Sequence, residues 1–293
     1  MKFDVSNISS SKTLRRIKRF VTFPIAHPLG RLGAAICFIA LIGIGVWILK
    51  DLPSPQNLTR QENFAVSTQI FDRNGELLYE IYGSTHRVPI EIQDVPEHVK
   101  QATIAIEDQR FYSHHGIDMI GISRAFINNI QGKPLEGGST ITQQLIKNAL
   151  LTRDRTLQRK VKEAILAVAT ELIYSKEEIL EMYLNYIPYG GTAVGIEAAA
   201  QQYFDKSATE LTVAESALLA GLPQAPSFYS PFGSEPERAQ TRQATVLDRM
   251  VQQDFLTAAA AEDAKSEVLD FALSRTDIKA PHFVFYVRDL LFE

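Results

Sequence analysis

The run Leu32–Leu49 holds no charged or polar side chain over 18 residues and is bracketed by Arg31 and Lys50. As a helix it is about 27 Å long, close to the hydrocarbon thickness of a bilayer, with flanking cations able to snorkel. A buried core helix is the alternative, and an unbroken apolar run of this length argues against it. The run therefore predicts an N-terminal transmembrane helix. No Ala-x-Ala pattern follows Leu49, so it reads as an uncleaved anchor. Gly43 and Gly45 suit close helix approach and equally suit ordinary membrane-helix composition.

The tail before it, 1–31, carries Lys2, Lys12, Arg15, Arg16, Lys18, Arg19 and Arg31 against Asp4 alone. That excess places the tail in the cytoplasm and the remaining ~240 residues outside it, anchored to the cytoplasmic (inner) membrane by a single pass. Because the whole chain has net charge -4, the body beyond the tail is acidic, which argues against nucleic acid as a partner. Its 45% apolar and 22% charged residues over 293 positions are ordinary globular usage, enough for one large domain or two small ones. The single Cys37 permits neither an internal disulfide nor a thiolate metal cluster.

The composition divides the chain into a basic tail (1–31), the anchor (32–49), a Pro/Ser/Gln/Asn-rich linker (50–66), a main domain (67–255) and a C-terminal helical region (256–293). Asn74-Gly75 between the alternating runs 67–72 and 77–83 predicts a β-hairpin. After Pro96 the apolar spacing becomes helical. Helices are predicted over 97–113, 118–131, 140–151, 156–174, 176–187, 193–204, 212–222 and 236–254.

Four local patterns carry chemistry. Glu107-Asp108 sits at the end of an apolar helix, followed by Phe111, His114, His115 and Gly116; burial there raises a Glu toward useful proton-transfer range, and a solvated helix end is the bland alternative. The two histidines with Asp118 can be drawn as a metal site, but no set of three spaced ligands stands out elsewhere and they read as structural. Gly137-Gly138-Ser139-Thr140 opens a helix that carries Gln143, Gln144 and, on the face of Thr140, Lys147, a pattern suited to an anion or to a plain cap.

In the third pattern Val161, Ile165, Val168 and Leu172 form one apolar stripe, so Arg155, Arg159 and Glu163 project from the opposite side, toward either water or a cleft. Read one way, Arg159 and Glu163 are an exposed i,i+4 pair. Read the other, with Lys160, they wall a multiply charged substrate. The fourth, Lys176 to Asn185 followed by Gly190-Gly191, is mostly core, with Asn185 equally suited to a cap or a ligand.

In order and spacing these patterns resemble the peptidoglycan glycosyltransferases of glycosyltransferase family 51, found in class A penicillin-binding proteins and in monofunctional enzymes. The match runs through Glu107–Gly116, Gly137–Gln144, Arg159–Glu163 and Lys176–Asn185, then into Leu218–Pro226 and Arg242–Met250, with no departure at a key position. The resemblance implies a mostly α, two-lobed, lysozyme-like domain with the small N-terminal hairpin and membrane anchor. It implies polymerisation of lipid II onto a growing glycan strand by inverting transfer, with loss of undecaprenyl pyrophosphate.

By that resemblance Glu107 is the general base and Glu163 the second catalytic carboxylate. Lys147, Arg155, Lys160 and Arg159 receive the pyrophosphate, while Ser139, Thr140, Gln143, Gln144 and Asn185 contact sugar and phosphate. No cofactor is required; a divalent cation, Mg or Mn, on the substrate diphosphate is the one it admits. Membrane lipid and other cell-wall synthesis proteins are the expected partners. The rival is a lysozyme-like glycan-cleaving enzyme, which has no need of the cationic set. The Ser-x-x-Lys at Ser9–Lys12 lies in the basic tail and Lys-Thr-Gly is absent, so no β-lactam binding is expected. Ala280–Arg288 resembles the stretch leading into a transpeptidase domain, which leaves open an N-terminal fragment of a bifunctional enzyme.

Overall fold

The computed structural model describes residues 28–59, 68–75, 77–81, 85–131, 137–151, 154, 156–272, 280, 282–283, 286–287 and 290. Helix α1 (Pro28–Leu49) belongs to a first compact unit, Met1–Leu52. Its proline stands in the first turn, where a missing N–H costs nothing. Leu32, Ile36, Phe38, Ile39, Val46 and Trp47 are all more than half exposed. Among the described residues, which leave out the side chains at 37, 41, 44 and 48, no helix is long and apolar enough to cross a membrane. The span expected over 32–49 is therefore not established, although its helix is.

The second unit, Pro53–Glu293, is mostly helical with two small sheets. Strands β1 (Thr68–Phe71) and β2 (Leu77–Ile81) pair antiparallel, Thr68 against Ile81 and Ile70 against Tyr79. Their turn uses Gly75 at φ 85°, the left-handed geometry that the Asn-Gly dipeptide favours. The helices follow as α2 (Glu97–Glu107), α3 (Met119–Ile130), α4 (Ile141–Ala149), α5 (Leu157–Glu171) and α6 (Lys176–Tyr186). A short hairpin, β3 (Pro188–Gly190) with β4 (Ala193–Val194), precedes α7 (Ile196–Phe204), α8 (Val213–Gly221), α9 (Glu237–Gln252) and α10 (Ala258–Ser266).

Packing falls into two groups. In one, α2, α8, α9 and α10 surround a core of Ala102, Ala105, Ala214, Ala217, Val246, Leu247 and Met250. The small side chains let these axes approach closely, so α2 lies flush against α8 and α9. In the other, α4 packs on α5 and α6 through the fully buried Ile141, Leu145, Ile146, Leu166, Ile179, Tyr183 and Leu184. Helix α7 touches members of both groups, α6 and α8.

Three boundaries differ from the sequence reading. The helix expected over 97–113 stops at Glu107, because Asp108 adopts φ -157° and turns its carboxylate onto other partners; Phe111–Ser113 is a separate turn of 3-10 helix. The helix expected from 193 begins at Ile196, since Gly195 at φ 93° caps it and residues 193–194 pair as strand. The C-terminal region is helical over Ala258–Ser266, and 273–279 lie outside the described residues.

Candidate active site

Asp108 positions the site. Buried at the end of α2, its carboxylate accepts from His114 Nε2 at 2.9 and 3.1 Å and from the backbone N–H of Ile141, first residue of α4, at 3.0 Å. That bond uses an N–H which the start of any helix leaves without an intrahelical partner. The end of one packing group is thereby clamped to the start of the other.

The start of α4 is held just as firmly. Thr140 accepts from the N–H of Gln143, whose side chain accepts in turn from the N–H of Thr140, and Thr140 Oγ1 donates to the carbonyl of Gly116 at 2.7 Å. Gly116, at φ 84°, lies so near α5 that an added Cβ would stand 2.7 Å from backbone atoms of Ala167 and Val168. Gln143 is therefore a buried capping group rather than a lining residue.

The clamp sets Glu107 beside α4. Gln144 Nε2 donates to Glu107 Oε2 at 2.5 Å, in a cleft of about 530 Å³ lined also by Ser139, Thr140, Lys147, Arg124, Arg242 and Arg249. Burial raises the Glu107 carboxyl above the ordinary carboxylate range, while Gln144, Arg242 and Lys147 pull it back and Asp108 adds to the rise. A carboxylate so placed is desolvated yet faced by cations. Desolvation lowers Lys147, and Arg159 and Lys160 lower it further, against the opposing charges of Glu163 and Glu107. One electrostatic field thus joins Lys147, Arg159, Lys160 and both carboxylates.

Helix α5 reverses the usual sense of an amphipathic helix. The stripe Val161, Ile165, Val168 and Leu172 is exposed, Leu172 to 83%, while Glu163, Leu166, Ala167 and Thr170 face inward. The open question of water or cleft resolves inward, because Glu163 takes its neutralising partners with it. Arg159 Nη1 donates to it at 3.1 Å and Lys160 Nζ donates to its other oxygen. Lys160 also donates to Ser139 Oγ at 2.8 Å, which ties this ion group to the cleft wall. Glu163 itself does not line the cleft.

One expected contact is engaged with backbone instead. Asn185 is 7% exposed and its carboxamide clips α6 to the segment before α2, accepting from Ile90 N–H at 2.9 Å and donating to the carbonyls of Ile90 and Glu181. It does not line the cleft. Arg155 lies outside the described residues. The structure adds Arg242 and Arg249, one wall on α9 that the sequence reading had matched as motif without assigning a role. Their i,i+7 spacing, which sets both on one face of α9, was the available signal. Among the described residues no three His, Cys, Asp or Glu stand together as a metal site, so no residues are assigned to a divalent cation and no step is routed through one.

A half-buried carboxylate, an amide that orients it and a surround of lysine and arginine form one cationic cleft in a mostly helical domain. Residues 74–251 match the family model described as Transglycosylase. The chain belongs to that family. It is 44% identical over 243 residues to penicillin-binding protein 1A of Aquifex aeolicus, covering 82% of this chain and 33% of that protein. Penicillin-binding protein 1F of Bacillus subtilis is 39% identical over 255 residues, covering 87% of this chain and 34% of the relative. Penicillin-binding protein 1A of Escherichia coli is 38% identical over 266 residues, covering 88% and 31%. This chain thus spans about a third of the length of these relatives. A crystal structure of penicillin-binding protein 1A from Haemophilus influenzae aligns with TM-score 0.41 and 25% identity, covering 76% of this chain and 23% of that one.

Proposed function

We propose that this chain is a peptidoglycan glycosyltransferase that polymerises lipid II. Glu107 Oε2 takes the proton from the acceptor sugar 4-hydroxyl. The freed oxygen attacks the anomeric carbon of the donor, and the carbon–oxygen bond to the diphosphate breaks with its electron pair leaving on undecaprenyl pyrophosphate. Configuration inverts from α to β. Charge builds on the departing diphosphate, so cations already in place lower the barrier without reorganising, one well-aimed donor supplying ~3 kcal/mol. Lys147, Lys160, Arg159 and Arg155 are assigned that role. Glu163 aligns the α5 cations, and Ser139, Thr140 and Gln144 contact sugar and phosphate.

The observation that carries the reading is the single cleft in which Glu107 meets Gln144 with Lys147 and Arg242 in its field. A cut through a neutral glycosidic bond makes no use of those cations. A membrane setting is part of the proposal. The 22 residues of α1 extend about 33 Å as a helix, which supports the anchor at 32–49 between the tail 1–31 and the linker 50–66. Exposed Met119, Ile120, Ile127 and Ile130 on α3, with the exposed stripe of α5, supply apolar surface suited to lipid beside a lipid-linked substrate. We assign transfer to residues 67–255, outside the cytoplasmic membrane, with 256–293 following it.

The test is incubation of the full chain in detergent with lipid II, followed by gel separation. Glycan ladders are expected, with a rate that falls as pH drops through the raised Glu107 pKa, because protonation removes the base. Glu107→Gln should abolish ladders and leave lipid II binding intact. Ladders from that variant, or fragments from preformed strands, overturn the assignment.

A further inference from the structure

A second cavity, of about 490 Å³, lies between α8, α9 and the segment that follows α10, and it shares no lining residue with the cleft. Its size falls in the range of roughly 300–1,000 Å³ usual for ligand pockets. Leu218, Pro231, Ala239, Val268, Leu269 and Phe271 give it apolar walls. One wall is a strap, 267–272, fixed at both ends. Thr212 Oγ1 donates to Glu267 Oε1 at 2.7 Å, and the N–H of Ala272 donates to the carbonyl of Tyr203 at 2.9 Å.

The polar groups left open in this cavity are amides rather than charges. Lys265 Nζ is spent on Asp248 and Glu262, at 2.7 Å each, and Glu267 on Thr212. Gln243, 5% exposed, gives its Nε2 to the carbonyl of Ala214 at 2.8 Å, which leaves Oε1 as an acceptor with no donor among the described residues. Gln240, one turn earlier on α9, is exposed and lines the same cavity. A charged ligand would leave its charge unmatched there, whereas a neutral one with hydrogen-bonding groups and an apolar face is matched on both counts.

Phe232 extends this surface. Its ring lies flat on Tyr203, centroids 5.5 Å apart and planes 8° apart, and edge-on to Phe271 of the cavity wall at 5.7 Å. Tyr203 covers one face of the ring, yet Phe232 is 55% exposed, so its other face meets solvent. The negative face of an aromatic ring attracts the polarised C–H groups on the flat side of a pyranose. The loop 223–236 joins this surface to the cleft, since Pro223 and Gln224 line the cleft and Pro231 and Pro236 line the second cavity. Successive turns fold that loop, with the N–H of Phe228 on the carbonyl of Ala225 and the N–H of Gly233 on that of Ser230.

We propose that the second cavity and Phe232 form a saccharide-binding site for the sugar backbone of a glycan strand, a neutral chain of β-linked N-acetylhexosamines. The amides of Gln240 and Gln243 meet its acetamido and hydroxyl groups, and Phe232 packs on a sugar face. The occupant is the product of the proposed transfer, and in that identity the inference rests on the reading above. A strand held here stays with the enzyme between additions, so the site lengthens strands without entering the transfer step.

The experiment adds a soluble chito-oligosaccharide to the full chain in detergent and follows amide hydrogen exchange segment by segment. Added protection is expected over the strap 267–272. Phe232→Ala and, independently, Gln240→Ala should weaken that binding about tenfold. Both should leave thermal unfolding and the initial rate on lipid II unchanged while shortening the strands seen on a gel. The two exposed positions lie on different elements, so either variant decides the matter if the other does not fold. Protection confined to the cleft, protection equal in parent and variants, or strands of unchanged length overturns the inference. Protection of the strap by an apolar peptide and not by the oligosaccharide overturns the ligand class. Ladders without protection of the strap sink this inference alone, whereas oligosaccharide bound at the strap of a chain that makes no ladders sinks the transfer reading and leaves the saccharide site standing.

Discussion

Replacing Glu163 by Gln tests how the cationic wall is assembled. Glu163 is 1% exposed and neutralises Arg159, whose side chain is 17% exposed, and Lys160, at 46%. Stripping one partner from a buried ion pair typically costs ~3–5 kcal/mol. Lys160 is half in water and recovers its hydration, and the amide oxygen of Gln still accepts one bond, so the cost here falls to ~2 kcal/mol. For a domain of this size that lowers the unfolding midpoint by roughly 4–8 °C. Turnover falls as well, since Lys160 no longer holds its place against Ser139, and misplacement of a charge by an ångström costs on the order of a hundredfold.

The variant also has a pH signature. Lys147 is lowered by desolvation and raised by Glu163, and in the proposed role it can receive a diphosphate only while protonated. Turnover is thus kept below the Lys147 pKa and lost as pH rises through it. Without Glu163 that alkaline limb moves to lower pH. Circular dichroism melts and lipid II polymerisation across the alkaline range provide both readouts. A variant that melts with the parent chain and keeps its alkaline limb would refute the idea that Glu163 organises these cations.

Two further substitutions separate scaffold from site. Gly116→Ala forces a left-handed φ on a residue with a Cβ 2.7 Å from the α5 backbone, so it should destabilise by at least ~2 kcal/mol and loosen α4; an unchanged melt would contradict the contact. Asn185→Ala should cost ~2 kcal/mol by leaving the Ile90 N–H unpaired, with lipid II affinity unchanged; a selective loss of affinity at normal stability would return Asn185 to the substrate site.

Much of the scaffold was legible because its signals are local. The 3.6-residue spacing gave the positions of the helices, Asn74-Gly75 the first hairpin, and the hydroxyls of Ser139-Thr140 after the glycine pair the capped start of α4. The β3–β4 hairpin escaped because its strands are two or three residues long, too short for any alternation to register. Gln143 and Asn185 were legible as polar residues in the right segments. Whether a carboxamide meets substrate or backbone depends on what lies across from it, and both face backbone.

The order of motifs by itself determined the family, the helical character and the identity of Glu107 as the carboxylate to watch, since each follows from residue type and spacing along one strand of chain. Tertiary structure alone decided which side of α5 turns inward, that Asp108 joins α2 to α4, and that Arg242 lines the same cleft as Lys147. The physical reason is that burial of a charge is a property of its surroundings. Glu163 is buried together with Arg159 and Lys160 of its own helix, but which side of α5 turns inward, and that Lys160 also reaches Ser139, is decided by the elements packed against it.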